Sequence, residues 1–202
     1  MFDARLRTLI DPPLNRAGRR LAALGAHPDA ITLVGLALGL LAAGTIALGA
    51  PAWALAPLLL GRLADGLDGA VARARGGGSA VGGLLDIVCD FVVYGAIPLG
   101  FVLADPAANG AAGGFLLASF YANGASFLAF AAIAERKGME TRAQGAKTLY
   151  YSAGLLEGGE TIALFVLFCL APGWFPPLAW AFGALCFLSC ALRVLLARKM
   201  FG

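Results

Sequence analysis

The chain has 202 residues, of which 60% are hydrophobic and only 13% charged, with a formal net charge of +3 and a mean hydropathy of +0.82. Soluble domains carry about 25% charged residues, so a water-soluble globule is excluded and no nucleic-acid partner is expected. The length suits one membrane domain of about six spans.

The first thirty residues are polar and arginine-rich, with no apolar core followed by a cleavage site, so no removable signal peptide is expected. The segment from Phe2 to Leu24 mixes Leu6, Leu9, Ile10, Leu14 and Leu21 with five arginines. It reads as an amphipathic juxtamembrane helix drawn to anionic headgroups, with Pro12 and Pro13 interrupting any single long helix. Residues 1–28 are therefore assigned to a cytoplasmic juxtamembrane segment. Residues 29–202 are assigned to an all-α, polytopic domain of six transmembrane helices.

Those spans are expected near 30–49, 53–74, 80–103, 112–134, 148–170 and 176–197. Each is long enough to cross about 30 Å of hydrocarbon. On the first span, Gly35, Gly39 and Ala43 form a small-residue stripe, suited either to internal packing or to a dimer face. Gly76, Gly77, Gly78 and Ser79 make a tight turn after the second span, without the Lys that a phosphate loop requires. Cys89, Cys169, Cys186 and Cys190 lie in apolar runs and read as packing residues. His27 is a polar residue at a helix entry.

Basic residues set the orientation. Arg5, Arg7, Arg16, Arg19 and Arg20 precede the first span, Arg73 and Arg75 follow the second, and Arg136, Lys137, Arg142 and Lys147 follow the fourth. Arg193, Arg198 and Lys199 end the chain, while the opposite connections near 50–52, 104–111 and 171–175 hold no Lys or Arg. The positive-inside rule then puts both termini on the cytoplasmic side of an inner membrane. Only Arg62 falls inside a span rather than at an end or in a loop.

Four aspartates interrupt the hydrophobic body: Asp65 and Asp68 on the second expected span, Asp86 and Asp90 on the third. Spacings of i, i+3 and i, i+4 put each pair on one helix face, and both pairs fall about two turns below the inner surface. Antiparallel neighbours can bring all four into one pocket, with Gly66, Gly69, Gly82 and Gly83 leaving room for a ligand. A carboxylate in hydrocarbon costs about 2.5–3.5 kcal/mol, and clustered like charges repel. Two divalent cations would neutralise the four charges. All-oxygen ligands favour Mg²⁺, Mn²⁺ or Ca²⁺ over zinc, and a two-metal site fits phosphoryl transfer.

The spacing Asp-x2-Asp-Gly-x2-Ala-Arg-x8-Gly-x3-Asp-x3-Asp is met at all eight positions by Asp65, Asp68, Gly69, Ala72, Arg73, Gly82, Asp86 and Asp90. It resembles the signature of the CDP-alcohol phosphotransferases, the CDP-alcohol phosphatidyltransferase family. The resemblance implies transfer of a substituted phosphate from a CDP-linked alcohol, often CDP-diacylglycerol, to an acceptor hydroxyl, with release of CMP. It implies two Mg²⁺ ions (Mn²⁺ is an alternative) on Asp65, Asp68 and Asp86, with Asp90 near the second ion and acting as general base. Gly69, Ala72 and Arg73 would form the CDP-binding face, with Asp65, Asp68 and Gly82 beside it. A homodimer is implied too. At the first span's entry, Asp29 stands where the family frequently has Asn; it can still cap the helix.

The acceptor site is less legible. Arg142 and Lys147 could grip a phosphorylated acceptor, although positive-inside topology also demands them. Glu157 and Glu160, at i, i+3 on the fifth span, could bond a polyol, pair with an amino acceptor or hold Arg62. Tyr150, Tyr151 and Ser152 could add polar contacts. The expected activity is phosphatidyl transfer from CDP-diacylglycerol to a small polar alcohol or its phosphate, on the cytoplasmic side of the membrane. The alternatives are transfer of a CDP-linked headgroup to a lipid alcohol and, from another class, a divalent-cation transporter.

Overall fold

A computed structural model describes residues 2–137 and 158–201, with side chains from residue 11 onward. Arg142, Lys147, Tyr150, Tyr151, Ser152 and Glu157 lie outside the described residues. All described regular structure is helical: α1 (Phe2–Ala23), α2 (Pro28–Ala47), α3 (Pro51–Ala74), α4 (Ala80–Ala104), α5 (Pro106–Arg136), α6 (Gly158–Leu170) and α7 (Phe175–Phe201), with a 3₁₀ turn at Pro172–Trp174. Prolines open α2, α3 and α5, where the missing N–H would have had no helical partner.

Three of these helices, α2, α4 and α5, and the stretch Pro172–Phe201 are long and apolar enough to cross a membrane. The 24 residues of α3 match in length, but Arg62, Asp65, Asp68 and Arg73 dilute its apolar character. The described part of the fifth expected span is the 13-residue α6. Leu41, Leu59, Leu60, Leu84 and Leu195 remain more than half exposed, a surface that suits lipid rather than water.

The chain divides into two compact units, 1–106 and 107–202. In the first, α2 packs along both α3 and α4, and α1 lies on α3. The small-residue stripe on α2 is used inside this unit. A Cβ on Gly35 would sit 3.3 Å from the Gly61 carbonyl oxygen of α3, and one on Gly39 would meet Val93 of α4 at 2.5 Å. Farther along, a Cβ on Gly100 would sit 2.6 Å from the Ala43 carbonyl oxygen. Of the two uses expected for the stripe, the structure displays internal packing.

Contrary to the expected interruption, α1 runs unbroken through Pro12 and Pro13. Proline's fixed φ is itself helical, and the penalty is lost hydrogen bonding. Contact with α3 opposes that loss: Leu14 reaches Gly66, and Gly18 sits so close to Ala70 that a Cβ would clash at 2.6 Å. Asp29 also departs from expectation. His27 occupies the N-cap position of α2 without a side-chain cap bond, and Asp29 is the second helical residue.

In the second unit, Phe165, Phe168 and Phe175 are fully buried. Phe115 stacks at 4.4 Å from Trp180, and Phe120 meets Phe165 and Phe182 edge-on. Arg193 belonged by sequence to the charges closing the last span. It is instead buried, with Nη1 donating to the Asn123 carbonyl and side-chain oxygens at 3.0 Å each and to Ser126 Oγ. The four cysteines are free.

Replacing Gly100 by Ala should destabilise the protein by about 1–3 kcal/mol, because the methyl group must push α4 off the Ala43 carbonyl. The Gly44→Ala variant, whose Cβ meets nothing within 4 Å, should be neutral or gain up to about 1 kcal/mol of helix propensity. Thermal unfolding of both variants in detergent checks the contrast.

Candidate functional site

Ser79 caps α4, its Oγ accepting from the Gly82 N–H at 2.9 Å, and this fixes where the α4 face begins. The preceding turn uses Gly76 (φ +101°) and Gly77 (φ +123°), a region open to glycine but strained for other residues. With α3 and α4 both packed on α2, their polar faces meet. Asp65 and Asp68 come from α3, Asp86 and Asp90 from α4, and one guanidinium, that of Arg62, lies within ion-pair distance of both Asp65 and Asp90.

The four acids have unlike surroundings. Asp68 is buried and accepts a 2.6 Å hydrogen bond from the Thr32 hydroxyl of α2. Asp65, Asp86 and Asp90 are half-buried. Arg62, one turn before Asp65, places Nη1 at 2.6 Å from Asp65 Oδ2 and 3.7 Å from Asp90 Oδ1. Sequence reading had offered Arg62 to Glu157 or Glu160; the ion pairs seen are with the aspartates. At an effective dielectric constant near 20, two unit charges 4 Å apart interact by about 4 kcal/mol. One guanidinium therefore relieves the cluster only in part.

The remaining motif residues fall around this cluster. A Cβ on Gly69 would sit 3.3 Å from Arg73 Nη1, and one on Gly82 would lie 3.1 Å from both Asp29 Oδ1 and Ser79 Oγ. Ala72 is half-buried. Arg73 is exposed near the end of α3, where its Nη2 donates to Asn15 Oδ1 of α1 at 3.1 Å. Arg75 Nη1 donates to the Ala26 carbonyl at 2.8 Å, tying the α1–α2 turn to the same end. His27 Nδ1 lies 3.6 Å from Asp29. Of the expected acceptor residues, Glu160 is half-buried in the first turn of α6.

Among the described residues, no three His, Cys, Asp or Glu side chains are arranged to hold a metal ion. The donor set is nonetheless suited to a hard divalent cation: it is all oxygen, with Asp65 of α3 and Asp90 of α4 gathered around one guanidinium. Thr32, Asn15 and the Arg62 pairing escaped sequence reading. Thr32 had one visible signal, its place one turn after Pro28 at the entry of α2.

A family model described as CDP-alcohol phosphatidyltransferase matches residues 26–195. Inner membrane protein YnjF of Escherichia coli K12 is 50% identical over 96% of this chain and 94% of its own length. An archaetidylinositol phosphate synthase of Pyrococcus horikoshii is 37% identical over 50% of this chain and 53% of its own. The crystal structure of the Mycobacterium tuberculosis phosphatidylinositol phosphate synthase with CDP-DAG bound superposes with a TM-score of 0.70. That likeness covers 90% of this chain and 91% of the other at 22% identity, and it establishes the fold. Nothing in these matches supports a cation transporter.

The Thr32→Val variant should lose about 1–3 kcal/mol, since Asp68 keeps its burial without its donor. Thr32→Ser should retain most of the stability, and chemical denaturation in detergent compares the two.

Proposed function

Because the chain belongs to the CDP-alcohol phosphatidyltransferase family, whose members are membrane transferases of phospholipid synthesis, we propose that it moves a phosphatidyl group from CDP-diacylglycerol to a small polar alcohol or its phosphate, releasing CMP. The observation that carries the proposal is the convergence of Asp65 and Asp90 on Arg62, with Asp68 bonded to Thr32 and Asp86 one turn before Asp90, at the motif spacing. A lipid donor also suits a site built into apolar helices. The inositol phosphate products named for relatives favour a phosphorylated polyol as the first acceptor to test.

Each residue has a chemical task in this reading. Arg73, steered by Asn15, donates charge-assisted hydrogen bonds to the diphosphate of the donor. Gly69, Ala72 and Gly82 keep the helix surfaces low, so that the nucleotide can lie against them. Asp90 accepts the proton of the acceptor hydroxyl, which is a weak nucleophile at neutral pH. Asp65, Asp68, Asp86 and Asp90 would hold divalent ions, normally Mg²⁺ and alternatively Mn²⁺, with Asp90 serving the second. Such ions stabilise negative charge on attacking and leaving oxygens. Arg142, Lys147, Glu157 and Glu160 remain the proposed acceptor contacts. Six spans, cytoplasmic termini and a cytoplasmic active site in the inner membrane are supported by the loop charges, and a homodimer, implied by the family resemblance alone, completes the proposal.

The test is CMP release by purified protein given CDP-diacylglycerol, Mg²⁺ and separate alcohols, with inositol phosphate and glycerol phosphate among them. One acceptor should yield CMP together with the matching lipid. Asp90→Asn should reduce the rate by roughly 10²–10⁴-fold without unfolding the protein, and chelation by EDTA should stop the reaction until Mg²⁺ is restored. Silence with every acceptor, from folded protein, overturns the reading.

A further inference from the structure

The eight motif positions account for the aspartates but not for the arginine among them. Arg62 stands in the middle of α3, away from either end where a long basic side chain can reach water. Its Nη1 lies 2.6 Å from Asp65 Oδ2 and 3.7 Å from Asp90 Oδ1 of α4. The guanidinium therefore bridges α3 and α4 at the centre of the acidic cluster. Two of the four carboxylates proposed as ion ligands are the two it contacts. Its side chain is 39% exposed, so it has room to turn away.

We propose that Arg62 is a built-in cation of this site, occupying carboxylate oxygens of Asp65 and Asp90 that a divalent ion would use, so that the ion enters by displacing the guanidinium. The inference rests on the metal-binding part of the proposed function. Its physical basis is exclusion by size and charge. An oxygen engaged by a guanidinium at 2.6 Å cannot give the same face to an ion that demands contact at about 2.0–2.1 Å. Two cations placed there together would also repel each other in partly desolvated surroundings. Arg62 thus lowers the affinity of the cluster for divalent ions while relieving carboxylate repulsion when no such ion is bound.

The test measures Mn²⁺ binding to the purified full-length protein by electron paramagnetic resonance of the free ion, with no substrate present. Arg62→Gln should bind Mn²⁺ more tightly, on the order of tenfold in Kd, because a competing positive charge is gone. Arg62→Lys, which keeps the charge, should stay close to the wild type. A wild-type measurement guards against misfolding of the variants: phenylglyoxal labelling read by peptide mass spectrometry should increase at Arg62, relative to Arg75, when Mn²⁺ is added. Equal or weaker Mn²⁺ binding in folded Arg62→Gln, or labelling that ignores Mn²⁺ while the protein binds it, overturns the displacement and leaves the proposed function standing. Absence of Mn²⁺ binding in wild type and variant alike removes the metal part of that function, and this inference with it.

Discussion

The backbone contact between α2 and α3 at Gly35 and Gly61 is the constraint on which the site depends. Each glycine lies so close to the other's carbonyl that a Cβ would fall 3.1–3.3 Å from it. Helices that approach to this degree place side chains one or two turns farther along within hydrogen-bonding distance. Thr32 reaches Asp68 across that interface. The same helix meets Val93 of α4 at Gly39 and Gly100 of α4 at Ala43, so one small-residue stripe sets the positions of both aspartate-bearing helices. In an apolar medium such contact also provides the dispersion energy that hydrophobic exclusion supplies in water.

Charge in this setting behaves as a second constraint. Four carboxylates set into apolar helices need hydrogen-bond donors or cations, and the structure supplies different ones to different acids. Asp68 has a neutral hydroxyl, and Asp65 has a guanidinium with Asp90 at longer range. A neutral donor holds a carboxylate in place without using up its charge, whereas an arginine offsets charge as well. The cluster therefore contains one acid bonded to a neutral donor and two that share a cation. Outside the cluster, Arg73 and Arg75 join α1 and the α1–α2 turn to the end of α3. The segment α1 is thereby part of the construction of the unit that carries the four aspartates.

Much of this was legible in the residues alone. Spacings of three and four along a helix leave little freedom, so Asp65 with Asp68 and Asp86 with Asp90 had to share faces. The glycine turn had to return the chain, and apolar runs bounded by prolines had to be helices. Partners on other helices were not legible. Thr32 and Asn15 are single polar residues with no period to betray them, and they matter only through contacts fixed by tertiary packing. Arg62 was visible as an anomaly, but it was offered to the glutamates as one of their possible partners, because sequence separation says nothing of which helix faces lie opposite. The continuity of α1 through two prolines was missed for a related reason: local propensity argued for a break, and contact with α3 at Gly66 and Ala70 outweighed it.

The turn at Gly76 and Gly77 implies a sharp difference in tolerance to insertions and deletions. Between Arg73 and the Ser79 cap the chain is a connection, and added residues there change loop length while the capped helix can begin at the same place. Between Gly82 and Asp90 every residue is helical, and one inserted residue turns all that follows by about 100°. Such an insertion before Asp86 would turn both Asp86 and Asp90 away from α3, and one between them would part the pair, with composition and hydropathy almost unchanged. Helix phase, more than charge or hydropathy, is what these turns have to keep.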